Sequence, residues 1–160
     1  MFSGAVALLR VGRLKKSRRT KRCAPEEMSM TETIAAPRVG DKMPDGTVFA
    51  GTSPDTGVAM YATPADAPLT YTFYQAMEYA AKLDAHGHRD WRVPTLGELE
   101  VLFQNRAAIS GFNETGLNPE SWYWSSSQTD YFNGWGQRFS DGYQTHFFNY
   151  YDSPLRCVRG

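Results

Sequence analysis

The apolar pattern turns regular from Val39 onward. After Asp45-Gly46, Thr47-Val48-Phe49-Ala50 reads as a short strand and Ser53-Pro54-Asp55-Thr56-Gly57 as a turn, so Val58 to Ala62 returns as the second strand of a hairpin. Thr63 to Pro68 contains two prolines and reads as loop. Thr72 with Gln75 three residues on is a capping box, and Ala76, Tyr79, Ala80 and Leu83 fall on one helical face, with Gly87 as the stop. Thr95 with Glu98 opens a second helix whose stripe is Leu99, Leu102 and Phe103. Pro94 holds Val93 extended just before it. Beyond Gly111 the period shortens to that of strands: Tyr123–Ser127, Gly136–Ser140, Tyr143–Asn149 and Leu155–Arg159, with Asp141-Gly142 as a tight hairpin turn. A hairpin, two helices and a strand-rich end give an α+β fold, one domain over residues 39–160.

Composition changes this picture at both ends. From Trp122 to Gly160 the chain has 12 aromatics in 39 residues, set among Gly, Ser, Asn and Asp. The net charge of +0 hides an asymmetry: residues 1–22 carry eight Lys and Arg and no acid, which leaves 9 basic against 17 acidic groups, a net of −8, for the rest. An acidic body argues against nucleic-acid binding through the folded domain. Residues 1–38 are expected to be a disordered basic segment. Its simplest account is a true start near Met28 or Met30; an Arg-rich amphipathic targeting segment is the other reading. No apolar run approaches a membrane span. No export signal is legible, so the default is a cytoplasmic or phage-borne protein, with surface display left open.

Chemistry is sparse. Cys23 and Cys157 make neither a disulfide scaffold nor a zinc site, and two free thiols are simpler than one bridge between them. Asp84, His86, His88 and Asp90 fit a solvated loop at a helix end better than a metal site. There is no phosphate-binding glycine loop and no nucleophile elbow. No catalytic residue, metal or cofactor is expected.

Four ordered blocks carry a resemblance: Trp91-Arg92-Val93-Pro94-Thr95 with Glu98-Leu99, Tyr123-Trp124-Ser125-Ser126-Ser127, Trp135 with Phe139 and Asp141-Gly142, and Arg156-Cys157-Val158-Arg159. The chain resembles the bacterial Lcl C-terminal domain family. The resemblance implies a C-type-lectin-like fold, two helices packed on short, mostly antiparallel strands, in the branch shared with formylglycine-generating enzymes and the variable proteins of diversity-generating retroelements. It implies a binding domain. The sulfated polysaccharide bound by the family's collagen-like adhesin does not carry over, because the acidic body has no visible basic patch. A formylglycine-type oxidase would need a cysteine pair, and only Cys157 lies in the domain. The calcium motifs of sugar-binding lectins are absent, since Asn118-Pro119-Glu120 has the wrong letter order and Trp135 is followed by Gly136-Gln137. Within the blocks, Trp91, Trp124 and Trp135 are expected to be buried against the helices. Arg92 and Arg156 are expected to pin strand to helix through Glu98 or another acid, and Cys157 to be a small core side chain.

Between the blocks, Tyr131-Phe132-Asn133 and Tyr143 to Ser153 are almost wholly aromatic or small polar, the chemistry of a paratope. Tyr143, Thr145, His146, Phe148, Tyr150, Tyr151 and Ser153 are the candidate ligand-contacting residues, flanked by Tyr131 and Asn133. The ligand would be a protein or a carbohydrate. These residue types also match the codon set reached when adenines are mutated, which points to retroelement diversification. A structural or adhesion part of a phage or cell-surface assembly is the alternative. Alternation leaves core and surface both open, because Phe147-Phe148 and Tyr150-Tyr151 put aromatics on both faces of a strand.

Overall fold

The first hairpin forms where the turn residues place it. In the computed structural model, which describes residues 35–160, β1 (Val48–Thr52) pairs antiparallel with β2 (Ala59–Ala62), with a bulge between Phe49 and Gly51. The two capping boxes open α1 (Phe73–Lys82) and α2 (Leu96–Gln104), and a four-residue α3 (Arg106–Ile109) follows directly. β3 (Trp122–Gln128), β4 (Asn133–Arg138) and β5 (Gln144–Phe148) form a second antiparallel sheet in that order. β6 (Val158–Arg159) pairs antiparallel with β2 and completes the first sheet in the order β1-β2-β6. Among the described residues the architecture is α+β, with three helices and two three-stranded sheets. Cys23 and the start-site question lie outside the described residues.

Several boundaries differ from the sequence reading: β4, expected over Gly136–Ser140, runs from Asn133 to Arg138. α1 stops at Lys82 because Leu83 turns extended (φ −68°, ψ 120°), and the chain after it is held by side chains. His88 Nε2 lies 2.7 Å from Asp45 Oδ2, Asp84 accepts from Arg89, and Asp90 accepts from Arg159. The loop stays solvated at Asp84, Gly87, Arg89 and Asp90, and His88 ties it to the Asp45 turn. The strand expected over 155–159 shortens to two residues. Leu155 and Cys157 instead offer their carbonyls to the N–H groups of Ala67 and Thr63, which lie in the proline-rich loop. α3 was not anticipated, since four residues carry no readable period.

The second sheet separates two cores. Tyr123 and Phe139 join Val48, Met60, Leu99, Leu102 and Val158 on the α2 side. Trp124 joins Phe73, Ala76, Ala80, Trp91 and Leu155 on the α1 side. Gly134 and Gly136 allow this approach: a Cβ on Gly134 would sit 2.4 Å from the Phe73 ring, and one on Gly136 would sit 2.7 Å from the Phe147 ring. Trp91 and Trp124 are buried as expected. Trp135 is not, because the glycine face of β4 is the one turned toward α1. Trp135 lies on the opposite face, half-buried and edge-on to His146 at 5.4 Å.

Two arginines staple the layers. Arg92 grips the buried Glu98 with both terminal nitrogens. Glu98 also accepts from the Ser53 hydroxyl at 2.6 Å and from the Thr95 N–H at 3.0 Å. Arg156 is fully buried. It pairs with Asp66 at 2.7 Å and donates to the carbonyls of Thr63, Ser110 and Gly111, with the Phe112 ring 4.1 Å away. Beside it, burial pushes the Cys157 thiol up to about 12. Since the thiolate is the nucleophile, alkylation of Cys157 by iodoacetamide is expected to be slow in the native protein and fast in denaturant. Mass spectrometry reads it directly, and rapid native labelling would contradict the buried assignment.

Candidate functional site

Strand pairing sorts the candidate residues by face, because partners across a ladder point the same way. Trp124, Gly136 and Thr145 are in register, as are Gly134 and Phe147, so Thr145 and Phe147 lie on the α1 face of the sheet. Trp135 with His146, and Asn133 with Phe148, occupy the other face. The adjacent phenylalanines therefore divide: Phe147 stacks on Trp124 at 4.3 Å, and Phe148 is exposed.

Beyond β5 the chain turns, and its aromatics gather outside the core. Phe148 and Tyr150 stack at 5.2 Å with their planes 9° apart, and Tyr151 meets Tyr150 at 4.9 Å. Tyr131 (77%), Tyr150 (66%), Tyr143 (56%) and Tyr151 (49%) keep about half or more of their surface in water, and Phe132 beside Tyr131 is also exposed. The residues that hold them do the opposite. Asn149 is buried and donates to the Tyr131 carbonyl at 2.9 Å, while its N–H donates to the Phe132 carbonyl. Asn133 fixes the β3–β4 turn by donating twice to Asp130. Tyr143 is presented by the β4–β5 turn, where hydrogen bonds from the Arg138 guanidinium and the Tyr143 N–H pull the Asp141 carboxyl down to about 2.

A groove of about 530 Å³ opens next to this cluster, lined by Asn118, Pro119, Trp122, Thr145, Phe147, Tyr151, Asp152 and Ser153. Its wall is rigid. Trp122 starts β3, donates its indole N–H to Asn118 and lies edge-on to Phe147 at 5.5 Å and to Tyr143 at 6.1 Å. Ser153 is clamped by reciprocal 3.0 Å backbone hydrogen bonds with Tyr71. Its side chain is fully buried and its Oγ has no partner among the described residues.

Six of the nine candidates thus come together: Thr145, Tyr151 and Ser153 in the groove, Tyr143 at the edge of Trp122, and Phe148 and Tyr150 stacked beside Tyr151. Tyr131 and Asn133 form a neighbouring turn, tied in through Asn149. His146 faces away, against Trp135. The sequence reading missed Trp122, Phe147, Asp152 and the Asn118-Pro119 wall. In sequence Asn118-Pro119 reads only as a calcium motif with the wrong letter order, and nothing in its local pattern announces that it lines a groove with Tyr151. Among the described residues no group of three or more His, Cys, Asp or Glu is placed to hold a metal ion, and no helix is long and apolar enough to cross a membrane.

The model of the Lcl C-terminal domain family matches residues 40–159, or 120 of the 160 residues. No curated protein matches the chain. The chain belongs to the Lcl C-terminal domain family.

Proposed function

We propose, from that membership and from the site, that this is a noncatalytic ligand-binding domain with a C-type-lectin-like scaffold. Its recognition face is built from Tyr143, Thr145, Phe148, Tyr150 and Tyr151, with the buried Ser153 on the groove lining and Tyr131 and Asn133 on the flank. One observation carries the reading. Apart from Phe147, the large aromatics of a single short segment stay in water, while Asn149, which positions them, is buried and hydrogen-bonded. Exposed Tyr beside small polar residues supplies large contact area at little rotamer cost, which suits recognition and offers nothing to a core.

The same division suits a variable protein of a diversity-generating retroelement, in which side chains on the face change while the scaffold stays. Sequencing the 3′ end of the gene across a population tests this. Substitutions confined to adenine-derived codons between Trp135 and Arg156, sparing Gly136, Phe147 and Asn149, are the expected result, together with a near-repeat template and a reverse transcriptase gene nearby. An invariant 3′ end without a template removes diversification. It would leave a fixed binding domain, or the alternative of an adhesion part of a phage or cell-surface assembly.

A further inference from the structure

The groove beside the aromatic cluster has a chemical bias that narrows its ligand. Its walls are the rings of Trp122, Phe147 and Tyr151. Asp152 is the one charged residue that lines it, and its carboxylate has no hydrogen-bond or ion-pair partner among the described residues. The nearest cation in the aromatic cluster, Arg138 (5.5 Å from the rings of Trp122 and Tyr143), is already paired with Asp141. The Oγ of Ser153 is buried and unpartnered among the described residues, and Thr145 brings a hydroxyl to the same lining. Of the two polar atoms of the Asn118 amide, the oxygen is taken by the Trp122 indole. What remains is a concave aromatic surface with a free carboxylate and hydroxyl acceptors. The described part of the chain has 9 basic against 14 acidic residues, a net of −5.

We propose that this groove receives an arginine side chain displayed on a basic protein partner. A guanidinium is planar, stacks on aromatic rings and carries only donors, so it complements each of these features at once. Its charge pairs with Asp152 and its plane lies against Tyr151 or Trp122. A remaining N–H group meets the Thr145 hydroxyl. Sulfate, phosphate or uronate groups are disfavoured by the same carboxylate. This inference rests on the recognition-face reading and gives the partner its chemistry.

The test uses the full-length chain, isotope-labelled, titrated with N-acetyl-arginine amide and, in parallel, with N-acetyl-leucine amide and methyl glucoside. Backbone amide shifts are followed by NMR. The expected result is saturable movement of the Thr145, Tyr151 and Ser153 amides with the arginine probe alone. Affinity should weaken at least fivefold from 20 to 300 mM salt and at least tenfold in Asp152→Asn. Tyr151→Leu keeps apolar bulk but removes the π face, and should also weaken the arginine probe. Equal response to leucine amide, or response to methyl glucoside without arginine, overturns the arginine assignment and leaves the recognition face standing. No response to any probe overturns it as well. The recognition face itself is judged by the separate scan of its positions described below, so the two failures are distinguishable.

Discussion

Replacing Arg156 with Met is expected to cost the domain about 3–5 kcal/mol of unfolding free energy. The guanidinium is fully buried and makes one charge pair and three carbonyl contacts, spread over the 63–66 loop and the 110–111 segment. Its partner Asp66 also accepts from the Tyr123 hydroxyl at 2.6 Å, and that hydroxyl accepts from the Asn113 N–H at 2.7 Å. Removing the cation leaves a carboxylate beside a phenol whose own pKa burial already raises. Three carbonyls lose their donor, and leaving buried acceptors unpaired is the costly direction. Arg156→Lys should recover only part of the loss, because one ammonium cannot span the same fork of acceptors. Urea unfolding of both variants measures this. A loss below about 1 kcal/mol for Arg156→Met would mean that the site behaves like a solvated surface pair.

Glu98 is the second staple, and its removal carries a pH signature. Glu98→Ala should cost about 3 kcal/mol, since it releases Arg92, the Ser53 hydroxyl and the cap on α2 together. Burial by itself would raise the Glu98 pKa. The hydrogen bonds from Arg92, Ser53 and the Thr95 N–H outweigh it and hold the carboxyl below its ordinary value. A depressed carboxylate stabilises the fold fully above its unfolded pKa of about 4.3. That stability is lost as pH falls through the lower folded value. Wild type should therefore lose stability more steeply than Glu98→Gln below about pH 4, with the two curves parallel above it. Parallel curves throughout would show that the pair contributes nothing on ionisation.

Much of the scaffold was readable because its signals are local. The capping boxes at Thr72 and Thr95 need only four residues each, and both open helices where the sequence places them. The Glu98 partner of Arg92 is six residues away and was named in advance; Asp66, which pairs with Arg156, is 90 residues away and was not. The burial of Trp135 was misjudged for the same reason. Its face is set by Gly134 and Gly136 packing under Phe73 and Phe147, a constraint that arises only when the sheet meets α1. The candidate segment was legible by composition and ambiguous by period. Phe147 turned inward and Phe148 outward, which no alternation rule settles for two adjacent aromatics. The groove wall at Asn118, Pro119 and Trp122 lay hidden because it combines a loop with a strand start, far in sequence from Tyr151.

The central claim is that fixed buried residues carry an aromatic face whose own side chains the fold does not need. A saturation scan of residues 121–159 in the full-length chain, read out by protease resistance of the displayed protein, tests it most directly. The account predicts that Tyr131, Tyr143, Thr145, His146, Phe148, Tyr150 and Tyr151 accept most substitutions with resistance near wild type. Tyr123, Trp124, Gly134, Gly136, Phe147, Asn149 and Arg156 should accept almost none. If the exposed tyrosines prove as intolerant as Trp124, the segment is part of the core and the recognition face does not exist.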